Sequence, residues 1–415
     1  VVKKLILNAA FLFVFSVQAL AGGFQINEHS ARAMAMAGAF AGLANDPSAI
    51  YFNPAGLTQV QGTHLLFGST LISPKASFRG PAPDVTEYTM QSQVFTPINF
   101  YFTHQFSDRF VVGLSLNNQY GLGTKWDNDW VGKYLAVDTE LRTFFVTAVF
   151  SYKLTDALSI SVGPIYTFGD VRIERYNSLA PFSGDVYVKL KGDATAWGLT
   201  GGIFYKPDKS FSVGISYRSQ VKFDFNGTAE TEGAPAALVN AGRIPKGDIT
   251  ASLTTPRNVT FGMAFMPTDK LTITGDLQYV GWSSYDELAV DFKDPNFSDL
   301  AAARHYGDTF IHRLGVEYNM SDAIDLRGGI LYDNNPVKDV LVDPTLPDSD
   351  RWGFNVGLGL NLTKHLKFDL AYMFLRFDER TISNSQVSYT AGDTPFNGTY
   401  NSSAHLFGFN VSYQF

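Results

Sequence analysis

Alternation with a period of two runs through most of this chain and restricts its fold more than any other feature. In the closing stretch HLFGFNVSYQF, Phe407, Phe409, Val411, Tyr413 and Phe415 share one parity, and Leu406, Gly408, Asn410, Ser412 and Gln414 share the other. Successive side chains on a strand point to opposite faces, so one face is strongly apolar and the other mostly small or polar. Leu158, Ile160, Val162, Tyr166 and Phe168 repeat the pattern, as do Phe211, Val213, Ile215 and Tyr217, then Val259, Phe261, Met263 and Phe265, then Leu366, Phe368, Leu370, Tyr372 and Phe374. A soluble sandwich could carry such strands. The aromatic last residue, with aromatics two and six residues before it, instead resembles the C-terminal sorting signal of bacterial outer-membrane barrels.

The opposite end reads VVKKLILNAAFLFVFSVQALA. Lys3 and Lys4 precede an apolar run from Leu5 to Val17, and Ala19-Leu20-Ala21 supplies a small-x-small site. This is the layout of a secretory signal peptide, residues 1–21, with cleavage expected after Ala21. A membrane anchor is the alternative, but a spanning helix needs about 20 apolar residues. No later run is long enough to span as a helix, which leaves a closed barrel as the structure able to satisfy every backbone group in lipid. The 35 Phe and 20 Tyr suit aromatic girdles at the two interfaces. The absence of Cys excludes disulfides and thiolate metal sites. Removing Lys3 and Lys4 takes the formal charge from −7 to −9, which disfavours a nucleic-acid partner.

From about His64 onward one unit repeats: an alternating strand, a short polar turn, another strand. The turns are FSDRF at Phe106, LTDAL at Leu154, KPDKSF at Lys206, PTDKL at Pro267, MSDAI at Met320 and LTKHL at Leu362. Ser, Thr and Asp bond their own backbone in tight turns. The connections at the other ends, 126–136, 179–186, 230–248, 294–306, 334–350 and 383–401, are longer and irregular. Short turns on one side and long loops on the other are the arrangement of an outer-membrane barrel. With the entering and closing strands the count is fourteen. The expected fold is all-β: a 14-stranded antiparallel transmembrane β-barrel over residues 63–415. Residues 22–62 break the period and are expected as a short helical N-terminal hatch plugging the lumen.

Several segments together carry a family resemblance: GGFQINEHS at Gly22, NPAG at Asn53, YGLGTKWDNDWVGKYLAVDTELRT at Tyr120, RLGVEYNMSDAIDLRGGILYDNNPV at Arg313 and FDLAYMFLRFDE at Phe368. Across the whole mature chain the sequence resembles the FadL/TodX family of outer-membrane transporters of hydrophobic compounds. The resemblance implies an extracellular hydrophobic groove, a luminal pocket behind the hatch, and a kinked third strand that opens the wall sideways. It also implies passive uptake of long-chain fatty acids or, within the same fold, of monoaromatic hydrocarbons. A barrel of this type serving as an assembly or secretion partner without a small ligand is the alternative from another class.

Four groups of residues are singled out. In NDPSAIYFNPAG, Asp46 can cap a helix with Pro47 at its first position. Asn53 can then cap a second turn beginning Pro54-Ala55-Gly56, because the residue before Pro54 avoids helical angles. This stretch is either a structural corner or a hinge that moves on ligand arrival. Trp126, Trp130 and Tyr134 lie in a long loop, as the rim of a capture groove or as self-packing or lipopolysaccharide contacts. The third strand loses its alternation at Asn117 and Asn118, and Gly121 and Gly123 follow, giving either an ordinary strand end or a lateral opening. Parity turns Arg218, Arg313, Glu317, Asp325 and Arg327 into the lumen, since a cation on the lipid face costs roughly 2–4 kcal/mol at mid-bilayer. They either brace the hatch or attract a ligand carboxylate.

No G-x-S-x-G or H-E-x-x-H motif is present, the seven His are scattered, and Asp343, Asp348 and Asp350 read as a solvated acidic loop rather than a cation site. No enzyme activity, cofactor or metal is expected. The expected partners are a hydrophobic small molecule and outer-membrane lipid with lipopolysaccharide, for a monomeric chain.

Overall fold

The computed structural model describes residues 22–179, 184–240, 244, 246–295, 297, 299–388 and 394–415. The expected signal peptide lies outside these residues, as do parts of four of the long connections. The strand segments join in one antiparallel sheet that closes as a 14-stranded barrel. We number the staves β1 (Thr63–Arg79), β2 (Ile98–Ser107), β3 (Phe110–Asn117 continued by Gly121–Lys125), β4 (Asp138–Lys153), β5 (Leu158–Ser178), β6 (Asp185–Tyr205) and β7 (Phe211–Arg218 continued by Val221–Glu232). The second half comprises β8 (Gly247–Thr255 continued by Arg257–Thr268), β9 (Leu271–Gly281), β10 (Thr309–Ser321), β11 (Ile324–Asp333), β12 (Arg351–Asn361), β13 (Leu366–Phe377) and β14 (Gly398–Gln414). β1 pairs with β14 from His64↔Gln414 to Arg79↔Thr399, which closes the sheet on itself.

Parity decides the two faces. Phe67, Val162, Trp197, Ile215, Phe261, Leu314 and Phe407 point outward and are exposed, while their strand neighbours point into the lumen. In the short turns the hydroxyl at the start of the turn does most of the bonding. Thr155 Oγ1 accepts from Leu158 N, Thr268 Oγ1 from Leu271 N and Thr363 Oγ1 from Leu366 N, while Asp208 Oδ1 accepts from Ser210 N. β5 and β6 are 21 residues each, about twice the 9–11 that cross a bilayer. Their upper halves therefore rise past the membrane and wall an extracellular chamber.

Residues 22–62 lie inside the barrel and hold three short helical turns: α1 (Ala31–Ala35), α2 (Ala49–Phe52) and a 3-10 turn (Pro54–Gln59). Small residues allow this: Ala33, Ala35, Ala37, Ala39, Ala41 and Ala44 are fully buried. Two wall glycines make room as well. A Cβ on Gly202 would lie 2.2 Å from Asn53 Oδ1, and one on Gly214 would lie 2.0 Å from the Ala41 carbonyl oxygen.

Candidate functional site

The plug is tied to the wall nearly all the way round. Asn355 Nδ2 donates to Met34 O (2.6 Å), Ser212 Oγ to Gly42 O (2.6 Å), Ser151 Oγ to Pro54 O (2.7 Å) and Tyr101 OH to His29 O (2.9 Å). Asp276 accepts from Phe40 N and Ala41 N at 2.9 and 2.8 Å. Within the plug, Asn53 caps the 3-10 turn by accepting from Ala55 N, and its Nδ2 donates to Ala41 O and to Ile203 O of β6, each at 3.1 Å. Pro54 sits at the start of that turn, and Gly56 packs on Ala44. The expected helix start at Pro47 is displaced: Asp46 Oδ1 accepts from Ser48 N (2.8 Å) and Ser48 Oγ (2.6 Å), and α2 begins only at Ala49. The side chain closes a turn first, and the helix follows it.

The luminal arginines take part in the same contacts between wall and plug. Glu317 receives both Arg32 of the plug (2.8 and 2.7 Å) and Arg327 of β11 (2.6 Å). Arg327 continues to Asp369 (2.7 Å) and Asp325 (3.2 Å), and Lys367 completes the group on Asp325 (2.7 Å). Arg313 stands apart from these, donating to Ala37 O, Asn27 Oδ1 and Gln278 Oε1. Arg218 donates to Tyr51 O (2.6 Å) and lies over the Tyr51 ring at 4.1 Å. Buried cations need partners, and the plug supplies them.

The two tryptophans also differ from the expected rim. Trp126 and Trp130 are buried and stack on each other with ring centres 4.3 Å apart. Their indoles donate to Pro344 O (3.1 Å) and Ala136 O (2.8 Å). Phe78, Phe396 and Tyr400 complete this cluster. The ring pair fastens one long loop to another, and that partner lies more than two hundred residues away. Tyr134 is half-exposed and donates to Asp185 (2.9 Å). Asp343, Asp348 and Asp350 each have their own partners, namely Arg304, Gly23 N and Tyr332 OH. Among the described residues no group of three His, Cys, Asp or Glu could hold a metal ion.

β3 is interrupted where its alternation fails. Asn117 pairs with Phe145 of β4, but Gly121 pairs with Arg142, so four steps on β3 face three on β4. One extra residue is a bulge; it bends the strand and reverses which parity faces inward. Val111 and Ser115 face the lumen below the interruption; above it Leu122 and Thr124 do. β2 pairs with β3 only up to Asn117, so the upper half of β3 is laddered to β4 alone. The N-terminus fills its inner side: Gly121 N donates to Phe24 O (3.0 Å) and Ile26 N to Gln119 O (2.9 Å).

Two cavities meet here. One, about 530 Å³, lies in the extracellular chamber among Ile173, Phe225, Leu253, Leu288 and Leu341. The other, about 560 Å³, is lined by Leu141 and Thr143 from the inner face of β4 and by Arg142 and Phe144 from its outer face, so it passes through the wall. Both touch Phe24, Leu122, Leu141 and Leu346. Phe24 is the partition, edge-on to Trp282 (4.8 Å) and Tyr285 (5.7 Å). Arg175, near the top of β5, has the inward parity of Ile165 and Thr167 and lines the first cavity. Among the described residues its guanidinium has no hydrogen-bond or ion-pair partner, while the charges of Asp343 and Arg304 act on it. Sequence reasoning missed both Phe24 and Arg175. The signal for Arg175 is present in VRIERYN: it is the basic residue on the apolar parity of a segment whose other parity is charged.

A closed 14-stranded barrel filled by a braced plug, with one ladder incomplete above Asn117, has the architecture of an outer-membrane protein. The chain belongs to the family described as outer membrane protein transport protein (OMPP1/FadL/TodX), whose model matches residues 12–415. It is 26% identical to the long-chain fatty acid transport protein of Salmonella typhi over 98% of this chain and 97% of that one. It is also 26% identical to the 47 kDa outer membrane protein of Pasteurella multocida, over 99% and 98% of the two chains. The fold is similar to that of a Pseudomonas aeruginosa FadL homologue (TM-score 0.86, 20% identity, 95% of this chain and 100% of that one). It is likewise similar to the toluene transporter TodX of P. putida (TM-score 0.75, 18% identity, 96% and 99%). The protein is thus an outer-membrane transport protein of this family.

Proposed function

We infer that the protein takes up long-chain fatty acids by diffusion, holding them in the extracellular chamber and releasing them sideways through the bulged β3. The observation that carries this reading is the pair of apolar cavities meeting at Phe24, one beneath the loops and one crossing the wall. The axial route is occupied by the plug with its ion pairs, so an apolar chain has no comparable path straight down. Sideways release keeps the chain in hydrocarbon and spares it re-entry into water.

Arg175 selects a carboxylate over a plain hydrocarbon. A half-buried guanidinium without a partner, at the edge of an apolar cavity, gains a charge-assisted pair when an anionic head arrives. The curated relative named as a long-chain fatty acid transport protein accords with this, whereas a monoaromatic hydrocarbon would leave Arg175 unused. The moving part is the strand-like N-terminus at Phe24, which has two backbone bonds to β3; the NPAG corner is tied on several sides. On the outer face of β4–β7, the pairs Arg142–Asp170, Lys189–Glu232 and Lys222–Asp224 form a charged panel above the aromatic belt, suited to lipopolysaccharide head groups.

The test is ligand affinity in Arg175→Gln. Binding of oleate should fall about tenfold, the loss of roughly 1.5 kcal/mol of a charged hydrogen bond, while binding of an uncharged alkane of equal length should not change. Equal losses for both ligands would reject the carboxylate role.

A further inference from the structure

The lateral opening is obstructed by the Phe95 ring, with Ile26 of the N-terminus beside it against Gly121. Residues 90–97 run along β1: Met90 N donates to Ala76 O (2.8 Å), Phe95 and Ile72 exchange two bonds (2.9 and 2.8 Å), and Thr70 N donates to Pro97 O (3.1 Å). Toward the upper half of β3, among the described residues, this segment makes one backbone bond, Gln91 N to Lys125 O (2.7 Å). Between that bond and the contact of Ile98 N with Asn118 Oδ1 (2.9 Å) the ladder is missing, and the wall-crossing cavity lies there.

Phe95 occupies the gap. Its ring lies against Gly123, where a Cβ would come within 2.0 Å of Phe95 Cζ and 2.4 Å of Cε1. Gly123 pairs with Glu140 and Gly121 with Arg142, so both present the outward face of β3, and that face carries no side chain. The φ of Gly123 is not positive, so the glycine is required for space rather than for backbone conformation. Phe95 is half-exposed, and its backbone is anchored to Ile72 by two hydrogen bonds. A rotamer change clears the gap without breaking any ladder bond.

We propose that Phe95, seated on Gly123, is the gate of the lateral port and sets which hydrophobic molecules pass. A slender, flexible alkyl chain slips past a ring that yields by rotation; a wide, rigid polycyclic molecule does not. This rests on the lateral route inferred above, and the test separates the two claims.

The full-length protein is reconstituted in liposomes with a lipopolysaccharide outer leaflet, and the protein-dependent rate of entry into the bilayer, above that of protein-free liposomes, is timed for oleate and for pyrene. Phe95→Ala and Gly123→Ala, whose new methyl unseats the ring, should each speed pyrene entry severalfold, and the double variant should be no faster than either single one. Gly123→Trp should abolish the protein-dependent entry of both probes; where it fails to assemble, as judged by heat-modifiable electrophoretic mobility, Leu122→Trp fills the same cavity. Wild-type pyrene rates in both alanine variants, alongside a block by tryptophan, would overturn the gate and leave the lateral route standing. Undiminished oleate entry in the tryptophan variant would overturn the route and the gate with it.

Discussion

Asn53 holds three positions together through one side chain: the start of a 3-10 turn, the preceding corner at Ala41 and the wall at Ile203. Removing it loses a cap of about 1 kcal/mol and takes a donor from two carbonyls, Ala41 O buried and Ile203 O part-buried. Asn53→Ala should therefore destabilise the barrel by roughly 2–4 kcal/mol, read as a lower temperature for the heat-induced mobility shift, with uptake per assembled barrel little changed. A large uptake loss at unchanged stability would restore the hinge reading. Trp126→Ala should cost about 3–5 kcal/mol by opening a cavity in the loop cluster. Asp348 provides a pH signature. Burial pushes its carboxyl up to about 6, opposed by Arg351. A raised carboxyl favours the folded state when protonated, so this contribution is fully present below the unfolded value near 3.8 and is lost as pH rises through 6. Asp348→Asn should thus gain melting temperature over wild type at pH 8 and lose that advantage near pH 4; an offset independent of pH would contradict the assignment. At this scale the sequence was least legible. NPAG showed its turn chemistry because capping is local, but Trp126 finds its acceptor at Pro344, and nothing in the neighbouring residues announces that contact.

At the scale of elements the strands were legible because lipid on one side and plug on the other enforce a strict period, and the hydroxyl-Asp turns mark where it restarts. The lapse at Asn117 and Asn118 was legible as a break. Its nature as a one-residue bulge required the register with β4. That register makes a specific prediction. Deleting Asn118 alone restores three steps opposite three, keeps Leu122 facing inward, and lets β3 run straight alongside β2. The variant should assemble with ordinary mobility, bind oleate, and transport it at least severalfold more slowly. Wild-type transport would show that the bulge is not part of the path. The plug helices were legible only as a departure from the period; their length, five and four residues, follows from how little room the barrel leaves.

The whole molecule combines two incompatible requirements: a wall that leaves no backbone group unpaired in lipid, and a way through it for an oily molecule. The barrel meets the first by closing β1 on β14 and by filling its axis with a plug whose charges are paired. It meets the second by leaving one ladder incomplete above Asn117 and covering the gap with the N-terminus on the inside and Phe95 at the wall. Sideways release is the central claim, and the order in which a substrate appears in the two compartments tests it directly. Liposomes carrying the protein would contain a quenching lipid in the bilayer and a fatty-acid-binding protein trapped in the interior, and a fluorescent fatty acid would be added outside in a stopped-flow experiment. The expected result is a protein-dependent bilayer signal that comes first, with the interior signal following at the rate of unassisted flip and release. A protein-dependent interior signal that precedes the bilayer signal would contradict the account.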